Sequence, residues 1–176
     1  MVGEGLRSPA APGPPDRRST LLPLRERGPP LSLYLDASAL VKAFVLEDGT
    51  EQVRALLAAE APGATSRITY VECSAAFARG WRERRLSRRR FAALCAALDE
   101  GWRDLVTVEL DEELAGLAGR LTREHALRAG DAIHLASALS LAAGDPGAVT
   151  LATWDQRLWH AARALGFSVS PGTPPP

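Results

Sequence analysis

Leu31-Ser32-Leu33-Tyr34-Leu35-Asp36-Ala37-Ser38-Ala39-Leu40 is an apolar run that ends abruptly in a carboxylate and a hydroxyl. Its Leu- and Tyr-rich half reads as a short buried strand, and Ala39-Leu40-Val41-Lys42-Ala43-Phe44 beyond it reads as a helix. Asp36 thus falls at a strand-to-helix junction, the edge at which open α/β sheets bind ligands. The same position suits a plain helix cap, with Asp36 or Ser38 accepting bonds from the first free N–H groups. Which role holds depends on what else reaches that edge.

Outward from this stretch, strands and helices alternate. Glu51 to Ala59 repeats apolar residues at helical spacing until Pro62-Gly63 stops it, and a short strand follows near Ala64 to Ser66. Thr69 is the expected N-cap of a helix from about Tyr70 to Arg84, which puts Glu72 near its start beside small and apolar neighbours. An ionised acid on such a face is costly unless paired or bound to a cation, although a first-turn Glu also suits the helix dipole. Ser87 opens a second long helix whose stripe Phe91, Leu94, Cys95 and Leu98 reaches Trp102, so the two helices form a hairpin. Leu105 to Glu109 alternates like a strand, and Asp111-Glu112-Glu113 starts a helix that runs to about His125.

From Ala132 to Ala143 there is no Asp, Glu, Lys or Arg. A helix without charge on any side belongs in the middle of the domain, and it carries Asp131, at its start, inward. Asp131 can equally be an N-cap, and His134 is expected to be a buried, satisfied imidazole within reach of Asp131 across one turn. Ala148 to Thr153 reads as another central strand and ends as the first one does, with Thr153-Trp154-Asp155 at a strand-to-helix junction. Leu158, Ala161, Ala162 and Leu165 mark the next helix, Gly166 ends it, and Phe167 to Val169 is a short final strand.

The chain has 176 residues, 46% of them hydrophobic, which suits one globular domain. Prolines crowd the first thirty residues and the last six, so the folded unit is expected over residues 31–171, with disordered tails at 1–30 and 172–176. No apolar run of signal-peptide length precedes the first strand, which predicts a cytoplasmic protein with no membrane segment. Cys73 and Cys95 read as buried thiols, and with the three histidines they show none of the tight ligand pairs of a zinc motif. Net charge is zero, but Arg79, Arg82, Arg84, Arg85, Arg88, Arg89 and Arg90 face Glu83 alone. That excess suits RNA phosphates or an acidic partner, or else a solvated turn.

Alternating elements predict an α/β fold, a three-layer α/β/α sandwich with a mostly parallel central sheet, in which strand ends of one sense share an edge. Asp36, Glu72, Asp131 and Asp155 can converge there. Four acids together repel unless cations neutralise them, and oxygen ligands suit Mg²⁺ or Mn²⁺. Such ions activate water and stabilise the attacking and leaving oxygens of a phosphodiester.

Leu35-Asp36-Ala37-Ser38-Ala39-Leu40-Val41-Lys42, Thr69-Tyr70-Val71-Glu72, Leu127 to Ala136 and Thr153-Trp154-Asp155-Gln156-Arg157-Leu158 together resemble the PIN-domain ribonucleases, most closely the VapC-type toxins of bacterial toxin–antitoxin pairs. The resemblance spans the whole folded unit. It implies that Asp36, Glu72, Asp131 and Asp155 bind metal, accompanied by Ser38 and Thr153. It also implies hydrolysis of single-stranded or loop RNA, with a 3′ hydroxyl leaving, a cognate antitoxin, and a homodimer through the Tyr70 to Trp102 hairpin. Gly130 stands where the family more often has a larger residue, Trp154 fills a variable position, and the Pro-rich start has no counterpart.

Competing readings are a PIN nuclease outside a toxin pair and a non-catalytic PIN module that binds RNA or protein. A response-regulator module would need a late lysine, whereas Lys42 is the only lysine and lies on the first helix. A dehalogenase-like phosphatase would need an acid where Ser38 stands.

Overall fold

The computed structural model describes residues 32–59 and 62–176; the expected tail over 1–30 and the first residue of the opening stretch lie outside them. Five strands form one sheet in the order β3-β2-β1-β4-β5: β1 Leu33–Leu35, β2 Ala64–Ser66, β3 Val106–Val108, β4 Thr150–Ala152 and β5 Ser168–Ser170. The strands of this sheet pair in parallel throughout, with Tyr34 opposite Ala64 on one side and Leu151 on the other. Parallel neighbours need long crossovers, which the helices supply, and those helices cover both faces. This is why β1, at the sheet's centre, has no exposed face and is apolar throughout.

The helices are α1 Ala37–Phe44, α2 Thr50–Ala59, α3 Arg67–Arg82, α4 Arg88–Gly101, α5 Glu112–His125, α6 Ala129–Ala142 and α7 Gln156–Ala164. Alternation along β1 divides them. Leu33 and Leu35 pack with Ala39, Val53 and Ala152 on the α1–α2 side, where the α3–α4 hairpin adds Cys73, Phe77, Leu94 and Leu98 around Leu40. Tyr34 points the other way, into a core of Ala64, Leu151 and the apolar faces of α5, α6 and α7. The predicted three-layer sandwich is therefore the observed one, and charge-free α6 packs between α5 and α7 against the sheet, with Ala132, Leu135, Ala136 and Ala138 fully buried.

Several boundaries differ from expectation for local reasons. α3 begins at Arg67, and its N-cap is Ser66, whose side chain makes no capping bond. Thr69 does not cap; it is buried, with its hydroxyl 2.7 Å from that of Thr65, which donates to Leu35 O. β4 starts at Thr150 because Pro146–Ala148 forms a 3₁₀ turn. The last strand is shifted one residue on, and Phe167 is buried ahead of it. Residues 172–176, expected to hang free, run back along α7: Gln156 Nε2 donates to Pro175 O at 2.8 Å, and Pro175 is buried.

Candidate metal centre

The strand order reverses direction between β1 and β4, which is the switch point at which open parallel sheets leave a crevice at their carboxyl ends. Asp36 follows β1 and caps α1, its Oδ1 accepting the Ala39 N–H at 2.8 Å. Thr153 follows β4 and donates its hydroxyl to Asp36 Oδ2 at 2.7 Å, while accepting the Asp155 N–H at 3.0 Å. Ser38 lies within 2.8 Å of both Asp36 oxygens and accepts the Trp154 N–H at 2.6 Å. Of the two residues expected as caps of α1, Asp36 is the cap, and Ser38, already inside the helix, ties the two strand ends together. Burial pushes the Asp36 carboxyl above its ordinary range, against the opposing pull of His134 and of the Thr153, Ala39 and Ser38 donors.

Because α3 starts at Arg67, Glu72 is its sixth residue, beyond the turn where the helix dipole would favour it. Its Oε2 lies 2.8 Å from His134 Nε2 instead. Its Oε1 is so close to α6 that a Cβ at Gly130 would be 3.0 Å away. Asp131 is the third residue of α6 and makes no cap; the N-cap position is Arg128. Asp131 Oδ2 is buried without a hydrogen-bond partner. Burial first, and then the charge of Asp155, raise its carboxyl. His134 does not bond Asp131, because its two nitrogens are taken by Glu72 and by the Tyr34 hydroxyl, the latter at 2.8 Å.

Asp155 caps α7 through Oδ1, which accepts the Arg157 and Leu158 N–H groups at 2.8 and 3.0 Å. Among the described residues no three His, Cys, Asp or Glu side chains stand together as one ion requires. The predicted four-acid cage is thus not closed: Asp36 and Asp155 are engaged as caps, and Glu72 is held by His134. Two observations nonetheless fit a hard divalent cation. Asp131 carries an orphaned buried oxygen, and the missing Cβ of Gly130 leaves room where Glu72 Oε1 meets the helix that bears Asp131.

Beside Glu72 a cleft of about 280 Å³ is lined by Ser38, Val41, Lys42, Ala76 and Trp154 among others. Lys42 Nζ pairs with Glu47 at 2.9 Å and lies 5.1 Å from the centre of a Trp154 ring. Trp154 reaches this wall because Gly49, at φ +91°, has no Cβ; one there would be 2.4 Å from Trp154 Cζ2. Sequence reasoning does not assign Lys42, Trp154, Tyr34 or His134 to the site. The position of Lys42 one turn after Ser38 is the available signal for the first.

Arg79, Arg82, Arg84, Arg85, Arg88 and Arg89 belong to the α3–α4 turn region, and all six are exposed. Arg79 and Arg82 lie about 10 and 15 Å along the helix axis from Glu72 by helical rise, so the cluster is separate from the acids. Arg85 pairs with Glu83 at 2.5 Å, and Arg90 donates to Phe44 O at 3.1 Å. Cys73 is inert as a thiol, its pKa pushed up to about 12 chiefly by burial and then by the charges of Glu72 and Asp36. No helix among the described residues is long and apolar enough to cross a membrane.

The sequence profile of the PIN domain matches residues 33–163. Ribonuclease VapC49 of Mycobacterium tuberculosis is 40% identical over 139 residues, which cover 79% of this chain and 94% of that protein. Among solved structures, the Mycobacterium tuberculosis toxin VapC20, which cleaves the sarcin-ricin loop, is similar with a TM-score of 0.57 at 17% identity, over 82% of this chain and 100% of that one. A toxin–antitoxin complex from Klebsiella pneumoniae is similar with a TM-score of 0.56 at 19% identity, over 81% and 99%. At these identities the two structures bear on the fold alone.

Proposed function

The chain belongs to the PIN domain family, and from that premise we propose that it is a metal-dependent endoribonuclease, the toxin of a toxin–antitoxin pair. The observation that carries the metal dependence is the buried, unpartnered Asp131 oxygen at an edge that also holds Asp36, Glu72 and Asp155. The similarity to ribonuclease VapC49 over nearly its whole length supports the substrate class.

Asp131, Glu72, Asp36 and Asp155 would hold Mg²⁺ or Mn²⁺. When bound, the ion supplies charge neutralisation and an acidified water for attack on a phosphodiester. Asp36 is oriented for this by three donors, from Ala39, Ser38 and Thr153, that leave its carboxylate little freedom to turn. Thr153 links that carboxylate to the backbone of Asp155, so acids on two strand ends move as one piece. The cleft beside Glu72, with Trp154 and the paired Lys42 in its wall, gives an RNA strand a surface next to these oxygens.

Partner contact falls on the α3–α4 hairpin, where Val71 and Trp81 are exposed apolar residues and the arginine cluster adds positive charge. An antitoxin and a second copy of the chain are the partners we assign to it, and action on RNA puts the protein in the cytoplasm. Cleavage profiling on total cellular RNA tests the reading. The wild type is expected to cut with Mg²⁺ or Mn²⁺ and stop in excess EDTA, and Asp36→Asn to be inactive but folded. Full cleavage by Asp36→Asn, or undiminished cleavage in EDTA, overturns it.

A further inference from the structure

We propose that Tyr34 and His134 are positioning residues: as a buried relay from the central strand they hold the Glu72 carboxylate in the orientation that completes the metal site. This rests on the reading of the acidic edge as a metal centre and goes beyond it by adding two residues that touch no ion. The three side chains come from distant segments. Tyr34 is in β1, His134 in α6 and Glu72 in α3, separated by 100 and 62 positions, yet they form an unbroken chain of two 2.8 Å hydrogen bonds.

Donor chemistry sets the Glu72 end of that chain. An ionised Glu72 only accepts, so Nε2 carries a proton pointing at Oε2. Nδ1 and the Tyr34 hydroxyl share the second bond, the hydroxyl donating to a bare Nδ1 or accepting from a protonated one. Tyr34 is fully buried and His134 only 3% exposed, so neither ring is open to exchange with water. Both rings are fixed by packing as well: they meet edge to face, with centroids 6.0 Å apart.

Glu72 is the one member that could move, since its side chain is 37% exposed. With Oε2 tied to His134, Oε1 is turned towards Gly130, at the start of the helix that carries Asp131. Untied, the carboxylate is free to swing into the cleft that it lines. Burial requires a partner for each nitrogen, and here one of those partners is a carboxylate of the acidic edge. α6 has already dispensed with every charge from Ala132 to Ala143, so His134 stands out there for its polarity.

The experiment is Mn²⁺ binding to the metal-free full chain, read by electron paramagnetic resonance, with thermal melts to verify folding. His134→Leu is expected to weaken Mn²⁺ binding on the order of tenfold or more, the usual effect of losing an outer hydrogen-bond partner. Tyr34→Phe, which keeps shape and packing, weakens it in the same direction and carries the test should the leucine variant not fold. His134→Gln restores most of the affinity, because its amide nitrogen can donate where Nε2 did. In a Glu72→Gln background, His134→Leu and Tyr34→Phe have no further effect. Wild-type affinity in folded His134→Leu or Tyr34→Phe, equal losses in His134→Gln and His134→Leu, or an undiminished effect on top of Glu72→Gln overturns the relay. A wild type that binds no Mn²⁺ overturns the metal-nuclease reading itself, so the two failures are distinguishable.

Discussion

Replacing Thr153 by Val removes one hydroxyl from a side chain with no exposed surface and changes its shape little. That hydroxyl donates to Asp36 Oδ2 and accepts the Asp155 N–H, so the variant leaves a carboxylate short of a donor and an amide short of an acceptor. A hydrogen bond to a charged group contributes about 1.5–3 kcal/mol, and a partly buried amide left unpaired costs about 1 kcal/mol more, giving a loss of about 2.5–4 kcal/mol. Ser38 Oγ, 3.5 Å from Thr153 Oγ1, is already engaged with Asp36 and the Trp154 N–H, so it offers no replacement.

The assay is urea unfolding of metal-free protein in EDTA, with m-values compared so that a change in midpoint can be read as a change in stability. A drop of this size in a chain of this length lowers Tm on the order of 10 °C. Thr153→Ser keeps the hydroxyl and loses one methyl, so it should cost only about 1 kcal/mol. The coupling to Asp36 is isolated by a double-mutant cycle: in Asp36→Asn, Thr153→Val should cost at least about 1 kcal/mol less than in the wild type. A loss below about 1 kcal/mol in Thr153→Val, or an equal loss in Thr153→Ser, refutes the account of this hydroxyl as the link between the two strand ends.

Three further outcomes follow from the same geometry. The raised folded-state carboxyl of Asp36 means that stability present below the unfolded value, about 3.9, is lost as pH rises through the folded one. In EDTA, Asp36→Asn should therefore gain on the wild type across that window and stay level above it; a wild type that gains on the variant as pH rises contradicts this. Gly130→Ala should stabilise α6 by up to about 0.5–1 kcal/mol, since its backbone is helical, yet raise the Mg²⁺ needed for half-maximal cleavage, because the new Cβ would be 3.0 Å from Glu72 Oε1. An unchanged Mg²⁺ dependence in that variant counts against the role of the Gly130 gap. Arg84→Glu, Arg85→Glu and Arg88→Glu combined should weaken RNA or antitoxin binding and flatten its salt dependence, by about 0.7 in logarithmic slope for each single-strand phosphate no longer neutralised. If both affinities and their salt slopes are unaltered, the cluster is a solvated turn.

The layers and the positions of the acids are legible in the chain because they rest on local pattern. A run of Leu and Tyr followed by Asp36, a charge-free segment after Asp131, and a second run ending at Asp155 are each visible within a dozen residues. What local pattern misjudges is the assignment of polar side chains to partners. Thr69 looks like a cap because it precedes an apolar run, but the chain has already turned helical at Arg67 and Thr69 is drawn inward to Thr65. His134 looks self-sufficient beside Asp131, while its real partners lie in another strand and another helix. Ser38 is recognisable but suggests the cap that Asp36 performs, since nothing near it in sequence announces the Trp154 amide 116 positions away. Spacing shows where an acid can be; only the packed fold shows which of its oxygens is already taken.

The pairing of β1 with β4 also has a consequence in time. Asp36 is made early, but the hydroxyl that orients it and the strand that flanks it come from residues 150–155, and β1 has no neighbour on that side until they arrive. A chain still being synthesised can form the α3–α4 hairpin from local contacts, since such contacts close first. It cannot align Asp36 with Asp155. The acidic edge is therefore assembled only once nearly all of the fold has emerged.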